Sequence, residues 1–412
     1  MSFCCTSSFA TAKMESQENV SGREHFAAPP KTTKQFPMNQ PLNYIKISKE
    51  NLLHNIAQLK KLTHNQKKVC AVVKANAYGH GSREVVEILN NHVSYFQVDD
   101  FLEFNEIKDT AKQPILVLGY VMPKNLEKLV EQGGIPAIYS LEQLKALETI
   151  AKRLDQAIKV HLKIDALLGR QGILLDDLPE FLRLLEKVPA IKIAGVYSHF
   201  SDADNGFTSH IECQIKTFKA AVKKIKQAGY DNFITHMSST AGALQYGQNH
   251  NFLDMFRPGI GMYGLWPSPD MQEKYSEIVD FKPVLKWVSH IAQVKTVPKG
   301  YPISYNLTYI TKKETKVAVI PQGYSDGYDR RLSNRGEVLI QGTRCPVLGR
   351  VAMNMIVVDV SHLEDVSPMD EVVLLGSQGG NEISADEIAE KIGTINYEVI
   401  SRISPLFPRI VA

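Results

Sequence analysis

The sequence predicts an α/β protein in which a (β/α)8 barrel precedes a C-terminal, mostly antiparallel β domain. The 412 residues exceed the usual size of one compact domain. From Leu42 to Lys282, short β-rich runs alternate with amphipathic stretches, and about eight such units match a closed barrel better than an open sheet. After Lys282, Gly, Pro, Asn and Asp turns separate strand-like runs, which is typical of an all-β domain. We therefore expect the barrel at residues 41–282 and the β domain at residues 283–412.

The strands predicted for the barrel segment are short and rich in apolar and β-branched residues. They are Tyr44–Ile47, Val69–Val73, Tyr95–Val98, Ile115–Leu118, Ala137–Tyr139, Val160–Ile164, Ile193–Val196 and Phe233–His236. The helices predicted between them are Asn51–Leu62, Ser82–Leu89, Leu102–Ile107, Leu126–Val130, Leu141–Ala151 and Gln214–Ala228. Ser48 is a suitable N-cap for the first of these helices. Strand–helix repeats of this length predict parallel strands with crossover helices.

The C-terminal segment contains strand-like runs and one capped helix. The runs are Val284–Val297, Lys316–Ile320, Glu337–Ile340, Arg344–Leu348, Met355–Val360 and Glu371–Leu375. Ser384 caps a predicted final helix that ends at Ile392. Strands joined by turns rather than by helices predict antiparallel pairing.

Composition excludes several classes of function. The formal net charge of +3 gives no basic face for nucleic acid or an acidic membrane surface. No run approaches the roughly 20 apolar residues of a membrane helix. The five cysteines are scattered and form no CxxC pair, so we expect neither a disulfide framework nor a metal site. These features predict a cytoplasmic protein that acts on a small molecule.

Residues 1–40 differ in composition from the rest of the chain. They are rich in Ser, Thr, Ala, Lys and Pro and show no apolar period, so we expect a disordered N-terminal extension. A transit peptide is an alternative, although Glu15, Glu18 and Glu24 count against it. Translation that begins at Met38 is a third possibility.

The most informative segment is Val72–Gly81, with the sequence VVKANAYGHG. A lysine at the C-terminal end of a barrel strand stands where catalytic groups lie, and partial desolvation makes its amine available for Schiff-base chemistry. The string resembles the cofactor-lysine signature of alanine racemases, which are fold-type-III enzymes dependent on pyridoxal 5'-phosphate. The resemblance extends from Leu42 to Val411. It implies a homodimer with shared active sites, in which Lys74 forms the Schiff base with the cofactor.

A second string, DMFRPGIGMYG at Asp254–Gly264, resembles the family's arginine and phosphate loop. The resemblance places Arg257 against the pyridine nitrogen of the cofactor. An arginine there cannot accept a proton, so the ring nitrogen stays unprotonated and delocalisation of a carbanion is limited. Gly259 and Ile260 are expected to offer backbone N–H groups to the phosphate.

Further cofactor contacts follow from shorter matches. His236–Gly242 is similar to the family's phosphate-contacting loop, so Ser239 and Thr240 are expected to contact phosphate. Tyr78 matches another phosphate contact. Tyr197–Phe200 resembles the strand with the ring-stacking histidine, which is His199 here.

The second catalytic base is expected in the β domain. Gly300–Tyr309 resembles the family's tyrosine motif, and Tyr305 matches the catalytic tyrosine. Racemisation removes a proton from one face of Cα and returns it to the other, so two bases on opposite faces suffice. The family implies that Lys74 serves the D face and that Tyr305 serves the L face from the neighbouring subunit. A phenol has a pKa near 10, so Tyr305 would need a lowered pKa, and Arg257 acting through His199 is the expected cause.

The substrate carboxylate is assigned to Arg170, since a guanidinium suits carboxylate. The family implies that Lys163 can be carbamylated and then holds this arginine, whereas the sequence itself shows only an interior lysine. Gly349–Met355 resembles a loop in which a backbone N–H, that of Met353 here, meets the substrate carboxylate.

Three departures from the family pattern concern specificity. Asn354 stands where Asp is usual, and residues 166–168, Ala-Leu-Leu, replace Thr-Gly-Met. Pro405 follows Ser404 where many members have a tyrosine that closes the pocket. Apart from these departures, the resemblance implies racemisation of L- and D-alanine, with D-alanine destined for peptidoglycan if the source is bacterial.

Three alternatives stay open. One is a racemase of broader specificity that accepts serine or larger side chains. Another is a fold-type-III decarboxylase, although such enzymes lack the Gly-His-Gly string and the Arg-Pro-Gly-Ile loop. A third is a non-catalytic cofactor-binding protein, but those resemble the barrel alone.

Overall fold

The computed structural model describes residues 41–205, 208–247 and 252–412, and its first half is built around a closed barrel of parallel strands. The strands up to residue 256 are β1 (Tyr44–Ile47), β2 (Lys68–Val72), β3 (Tyr95–Val98), β4 (Ile115–Val117), β5 (Ile135–Ile138), β6 (Ile158–Lys163), β7 (Ile191–Tyr197), β8 (Ile234–His236) and β9 (Met255–Phe256). Strands β2 to β9 pair in chain order, and β9 closes the ring against β2. The predicted α/β barrel is confirmed.

Helices precede, connect and follow the barrel strands. They are α1 (Lys49–Lys61), α2 (Lys74–Tyr78), α3 (Ser82–Leu89), α4 (Phe101–Ile107), α5 (Pro123–Glu131), α6 (Leu141–Leu154), α7 (Leu178–Leu185), α8 (Ser209–Gln227), α9 (Thr240–Tyr246) and α10 (Pro269–Tyr275). Side chains that accept backbone N–H groups define several starts, among them Ser48 for α1, Asp100 for α4 and Thr208 for α8. None of the described helices is long and apolar enough to cross a membrane.

The second half forms two further sheets. Its elements are β10 (Leu285–His290), β11 (Gln293–Val297), β12 (Thr315–Ile320), β13 (Glu337–Ile340), β14 (Thr343–Pro346), β15 (Ile356–Asp359), β16 (Glu371–Gln378), β17 (Asn381–Ile383), α11 (Ala385–Ile392), α12 (Asn396–Ser401) and β18 (Arg409–Val411). The larger sheet has the order β14-β13-β16-β10-β1-β18, with β17 paired to β16, and the smaller has the order β11-β12-β15. All pairs are antiparallel except β1 with β18, so the predicted β domain is confirmed.

The placement of Tyr44–Ile47 in the barrel was wrong. This strand, β1, pairs with β10 and β18 in the larger C-terminal sheet. The eighth barrel strand is β9, whose two residues are too few to show a period in the sequence. The division at residue 282 stays a prediction, as does the character of residues 1–40, which lie outside the described residues.

The predicted run Val284–Val297 is two strands. The chain leaves one sheet after His290 and enters the other at Gln293, so a single apolar stretch serves both sheets. The helix capped by Ser384 is present, but α12 and β18 follow it.

The barrel interior is packed, and one polar side chain enters it where a glycine leaves room. His161 is fully buried, and a Cβ at Gly195 would lie 2.4 Å from its ring. In the part of the barrel that the structure describes, this packing leaves the ends of the strands as the place for a ligand.

Candidate active site

A cavity of about 270 Å3 lies at the C-terminal ends of the barrel strands. All of the predicted site residues except Tyr305 and Met353 line this cavity. The predicted residues that line it are Lys74, Tyr78, Lys163, Arg170, His199, Ser239, Thr240, Arg257, Gly259 and Ile260. A larger groove of about 690 Å3 beside β1 and α1 contains none of them. Segments far apart in sequence therefore meet at one place, as expected for a barrel site.

Lys74 follows β2 and begins an unusual turn. The next four residues, 75–78, have φ between +51° and +54°, although none is glycine. A left-handed conformation costs roughly 1–2 kcal/mol for each such residue. Hydrogen bonds offset this cost, since Ala75 N–H donates to Glu103 Oε1 at 2.6 Å and Asn76 Oδ1 accepts from Ser82 N–H at 3.0 Å. Strain concentrated beside one lysine is typical of a functional site.

The environment of Lys74 differs from the expected one. Its side chain is 41% exposed rather than desolvated, and its Nζ lies 3.7 Å from Asp99 Oδ1. The charge of Lys74 thus has a carboxylate as its neighbour. The sequence analysis missed Asp99, because nothing in its local pattern marks it.

Arg257 forms the centre of a buried hydrogen-bonded group. Its Nη1 lies 2.6 Å from His236 Nδ1, and its Nη2 lies 3.2 Å from His199 Nδ1 and 2.8 Å from Ser198 O. Because a guanidinium only donates, each histidine accepts through Nδ1 and carries its proton on Nε2. His236 Nε2 then donates to His161 Nδ1 at 2.9 Å.

Burial sets the charges of this group. It lowers the pKa of His199 to about 3, with the positive charge of Arg257 acting in the same direction. Burial also lowers the pKa of Arg257 to about 10, which still leaves the guanidinium protonated at neutral pH. The site therefore combines a cationic arginine with neutral imidazoles.

Two helical starts form a cradle for an anion. Thr240 begins α9, and the short helical turn Ile260–Tyr263 begins beside it. Thr240 Oγ1 accepts the N–H groups of Gly259 and Gly261, each at 3.2 Å, which leaves its hydroxyl proton to donate to another group. A Cβ at Gly259 would lie 2.6 Å from the hydroxyl of Tyr78, so glycine is required there. Converging helix N-termini favour phosphate.

Lys163 and Arg170 form the cationic side of the cavity. Lys163 is buried, and its Nζ donates to Gln171 Oε1 at 2.8 Å, while Gln171 Nε2 donates to Tyr139 Oη at 3.2 Å. Burial, together with the charges of Arg170 and Arg257, lowers the pKa of Lys163 to about 8. The interior lysine thus has a polar partner, Gln171, which the sequence analysis missed.

Arg170 is exposed and lines the cavity. It makes no hydrogen bond or ion pair with any residue that the structure describes. A guanidinium without a protein carboxylate is available to a carboxylate of a ligand.

Tyr305 and Met353 lie outside the cavity. Both are on loops of the C-terminal half, with 67% and 56% of their surface exposed. The two loops are adjacent, because Ser304 Oγ donates to Arg350 O at 2.6 Å. The structure thus brings these two residues near each other but not to Lys74 of the same chain.

The cavity also contains residues that sequence reasoning missed, among them Gln97, Tyr197 and Tyr397. Tyr397 lies on α12, and its ring centroid is 6.0 Å from that of Tyr78. Pro405, where the family pattern suggested a lost pocket wall, is exposed and does not line the cavity. A helix of six residues gave no periodic signal, so Tyr397 went unnoticed.

Comparisons with known proteins agree with this geometry. Family models described as the N-terminal and C-terminal domains of alanine racemase match residues 47–267 and 284–411. An alanine racemase of Carboxydothermus hydrogenoformans is 38% identical over 371 residues, covering 89% of this chain and 98% of that protein. The structure of an alanine racemase of Clostridium difficile 630 matches with a TM-score of 0.84 and 33% identity, covering 90% of this chain and 96% of that one.

A third match concerns the fold alone, because its identity is only 22%. It is the structure of an alanine racemase from Bartonella henselae with covalently bound pyridoxal phosphate, with a TM-score of 0.78, covering 90% of this chain and all of that one. The two family models together span most of the chain, and the first relative is aligned over nearly its whole length. The chain belongs to the alanine racemase family of isomerases.

Proposed function

We propose that the chain interconverts L-alanine and D-alanine with pyridoxal 5'-phosphate bound through Lys74. The observation that carries this proposal is a single cavity that combines a lysine amine, an anion cradle and a buried arginine. These groups match the aldehyde, the phosphate and the ring nitrogen of that cofactor. Membership of the alanine racemase family, whose resemblance implies this cofactor, supports the choice.

The residues present fit the cofactor. The hydroxyl of Thr240 and the backbone N–H of Ile260 would hold the phosphate, with Ser239 and Tyr78 beside them. The N–H of Gly259 already donates to Thr240 Oγ1, so the expected role of Gly259 is to leave room beside Tyr78 rather than to donate. Burial raises the pKa of Tyr78 to about 12, so its hydroxyl stays a neutral donor. The cavity volume is close to the lower end of small-molecule pockets, roughly 300 Å3.

When bound, pyridoxal phosphate supplies the electron sink that takes up the electron pair of the Cα–H bond. Arg257 would donate to the ring nitrogen and keep it unprotonated, because a guanidinium has no lone pair with which to accept a hydrogen bond from a protonated ring nitrogen. An unprotonated ring nitrogen would limit delocalisation of the electron pair into the ring, which favours return of the proton to Cα. His199, neutral and fixed by Arg257, would pack on the ring.

Two bases would act on opposite faces of Cα. Lys74 would hold or release the proton on the D face, and Tyr305 of a second copy on the L face. The exposure of Tyr305 and Met353 on adjacent loops supports a site completed by a second copy in a homodimer. Arg170, together with the backbone N–H of Met353, would bind the substrate carboxylate.

Lys163 is proposed to carry a carbamate that positions Arg170. Its pKa of about 8 leaves part of the amine neutral at mildly alkaline pH, and the neutral amine is the form that reacts with CO2. The nearby positive charges of Arg170 and Arg257 would stabilise the negative product. Intact-mass measurement in bicarbonate tests this proposal, with one added CO2 expected in the wild type and none in Lys163→Met.

If the source is bacterial, the physiological role proposed is the supply of D-alanine for peptidoglycan in the cytoplasm. Cys70, Cys213 and Cys345 are unpaired in the described part of the chain, which agrees with a reducing compartment.

The test is an absorbance spectrum of the purified protein, followed by chiral analysis after addition of L-alanine or L-serine. We expect a visible band from bound cofactor and an equal mixture of alanine enantiomers, with serine turned over much more slowly. Equal rates for serine would favour the broader racemase. A coloured protein that leaves both amino acids unchanged would favour a decarboxylase or a carrier, and failure to bind the cofactor would overturn the proposal.

A further inference from the structure

The end of β3 places a carboxylate beside Lys74. Val72, the last residue of β2, is paired with Gln97 of β3. Lys74 and Asp99 each follow these residues by two positions, so they leave the two strands side by side. The ion pair between Lys74 Nζ and Asp99 Oδ1, at 3.7 Å, follows from this register. It is the only ion pair of Lys74 among the residues that the structure describes.

Glu103 fixes both sides of this pair. Its Oε2 accepts the N–H of Asp99 at 2.7 Å, and its Oε1 accepts the N–H of Ala75 at 2.6 Å. One carboxylate therefore joins the backbone that follows Lys74 to the backbone of Asp99. Gly119 N–H donates to Asp99 O at 2.7 Å and adds a third anchor from the end of β4. The position of Asp99 is thus set by main-chain contacts and does not depend on its own side chain.

None of the other ionisable groups described around this pair can serve as the negative partner of Lys74 in place of Asp99. Those that interact electrostatically with Asp99 or Lys74 are Glu103, Tyr139, Lys163, Tyr197 and His199, and Asp100 interacts with Glu103. Asp100 uses Oδ1 to cap α4, and Glu103 is engaged with the two backbone N–H groups. His199 is neutral, since burial lowers its pKa to about 3, and Lys163 carries the same charge sign as Lys74. Asp99 is the carboxylate of this set that faces Nζ.

We propose that Asp99 is a positioning residue for Lys74, an inference that rests on the proposed function. Its carboxylate holds Nζ at the mouth of the cavity and stabilises the positive charge on that nitrogen. This applies to the nitrogen bonded to the cofactor and to the free ammonium that forms when Lys74 accepts the proton from Cα. Asp99 takes no proton itself. Because the two side chains are 41% and 55% exposed, solvent screens the pair and the effect is modest.

The experiment is a pH titration of the visible absorbance of the holoenzyme, which reports protonation of the nitrogen that joins Lys74 to the cofactor. Asp99→Asn is expected to lower the midpoint by about half a pH unit or more, because an opposite charge near a cation favours its protonated form. Asp99→Ser serves as a second neutral variant, and Asp99→Glu is expected to restore most of the wild-type midpoint. The matched control is Glu106→Gln on α4, the helix that follows Asp99; the partner of Glu106 is Arg83 at 2.6 Å, and the midpoint of this variant should not move.

Kinetics provide a second readout. In Asp99→Asn, kcat for conversion of D-alanine is expected to fall several-fold while KM changes little, because Lys74 accepts the proton in that direction. A midpoint and a kcat equal to those of the wild type in both neutral variants would overturn the inference while leaving the racemase intact. Borohydride reduction and peptide mapping separate the two claims, since absence of cofactor on Lys74 of the wild type would overturn the proposed function as well.

Discussion

The two parts of the candidate site differ in how completely one chain builds them. In the barrel, Arg257 and Thr240 are buried and His199 is half-buried; hydrogen bonds fix all three, and they help to form a cavity within one chain. On the C-terminal half, Tyr305 and Met353 are exposed and contribute nothing to that cavity. The difference indicates that cofactor binding and proton transfer have separate structural requirements. Under the proposed function, one folded chain would suffice to hold the cofactor, and the second base would come from another copy.

The largest expected effect is that of Lys74→Ala. Removing the amine eliminates the covalent link and the base on one face, so racemisation should fall by at least about 10^3-fold. The measurement is the initial rate of D-alanine formation at saturating pyridoxal phosphate. Lys124→Ala, an exposed lysine on α5, is the control and should retain the wild-type rate. A Lys74→Ala protein that still racemises at near the wild-type rate would place the base elsewhere.

Tyr305→Phe should separate the two regions. Racemisation is expected to fall by about 10^2- to 10^4-fold while the visible absorbance of the bound cofactor stays unchanged. Tyr301→Phe, on the same loop and also exposed, is the control.

Mixing subunits sharpens this comparison. A dimer of one Lys74→Ala and one Tyr305→Phe chain has one intact site if the sites are shared, so random mixing should restore about one quarter of the wild-type activity. The measurement is activity after the two inactive proteins are dissociated together and reassociated. No recovery on mixing would mean that each chain uses its own tyrosine.

Thr240→Val tests the barrel region alone. Valine removes the hydroxyl proton that Thr240 leaves available for the phosphate, and losing a hydrogen bond to a charged group costs about 1.5–3 kcal/mol. Cofactor affinity is expected to fall by about 10- to 100-fold, measured by titration of the apoprotein with pyridoxal phosphate. Thr240→Ser keeps the hydroxyl and should bind nearly as the wild type does. If valine and serine behave alike, the hydroxyl is not part of the cradle.

The smallest effect concerns pH and Lys163. The pKa of this lysine is about 8 in the folded chain and 10.5 in the unfolded chain, so the unfolded state binds more protons between these values. Its contribution to stability therefore rises with pH from 8 to 10.5, by on the order of 1 kcal/mol after screening. Urea unfolding at pH 7.5 and 9.5 should show a smaller gain for Lys163→Met than for the wild type. An equal gain in both proteins would show that Lys163 is not the group responsible.

The sequence predicted most of the barrel, and it predicted ten of the residues that line the candidate cavity, because these signals are local. Lys74 ends an apolar strand and begins a long distinctive string, and Arg257 precedes a glycine-rich loop. Ser82–Leu89 and Tyr95–Val98 coincide with the structure because each has the period of its element and clear boundaries.

What the sequence did not predict depends on contacts between distant segments. Strand β9 has only two residues, and β1 joins a sheet whose other strands lie more than 200 residues away, so pairing rather than pattern defines both. Asp99 and Gln171 acquire their roles through Lys74 and Lys163, which lie on other segments of the chain. The proposed role of Tyr305 requires a second copy, and the exposure of its side chain is the only support that a single chain gives for that role among the described residues.

The most direct test of the central claim is racemisation of L-alanine in D2O by the purified holoenzyme, followed by chiral separation and mass spectrometry. We predict that D-alanine accumulates to an equal mixture and carries deuterium at Cα, because the proton passes through Lys74 or Tyr305, which exchange with solvent. L-alanine that keeps both its configuration and its Cα proton, in the presence of protein with cofactor bound to Lys74, would contradict the account.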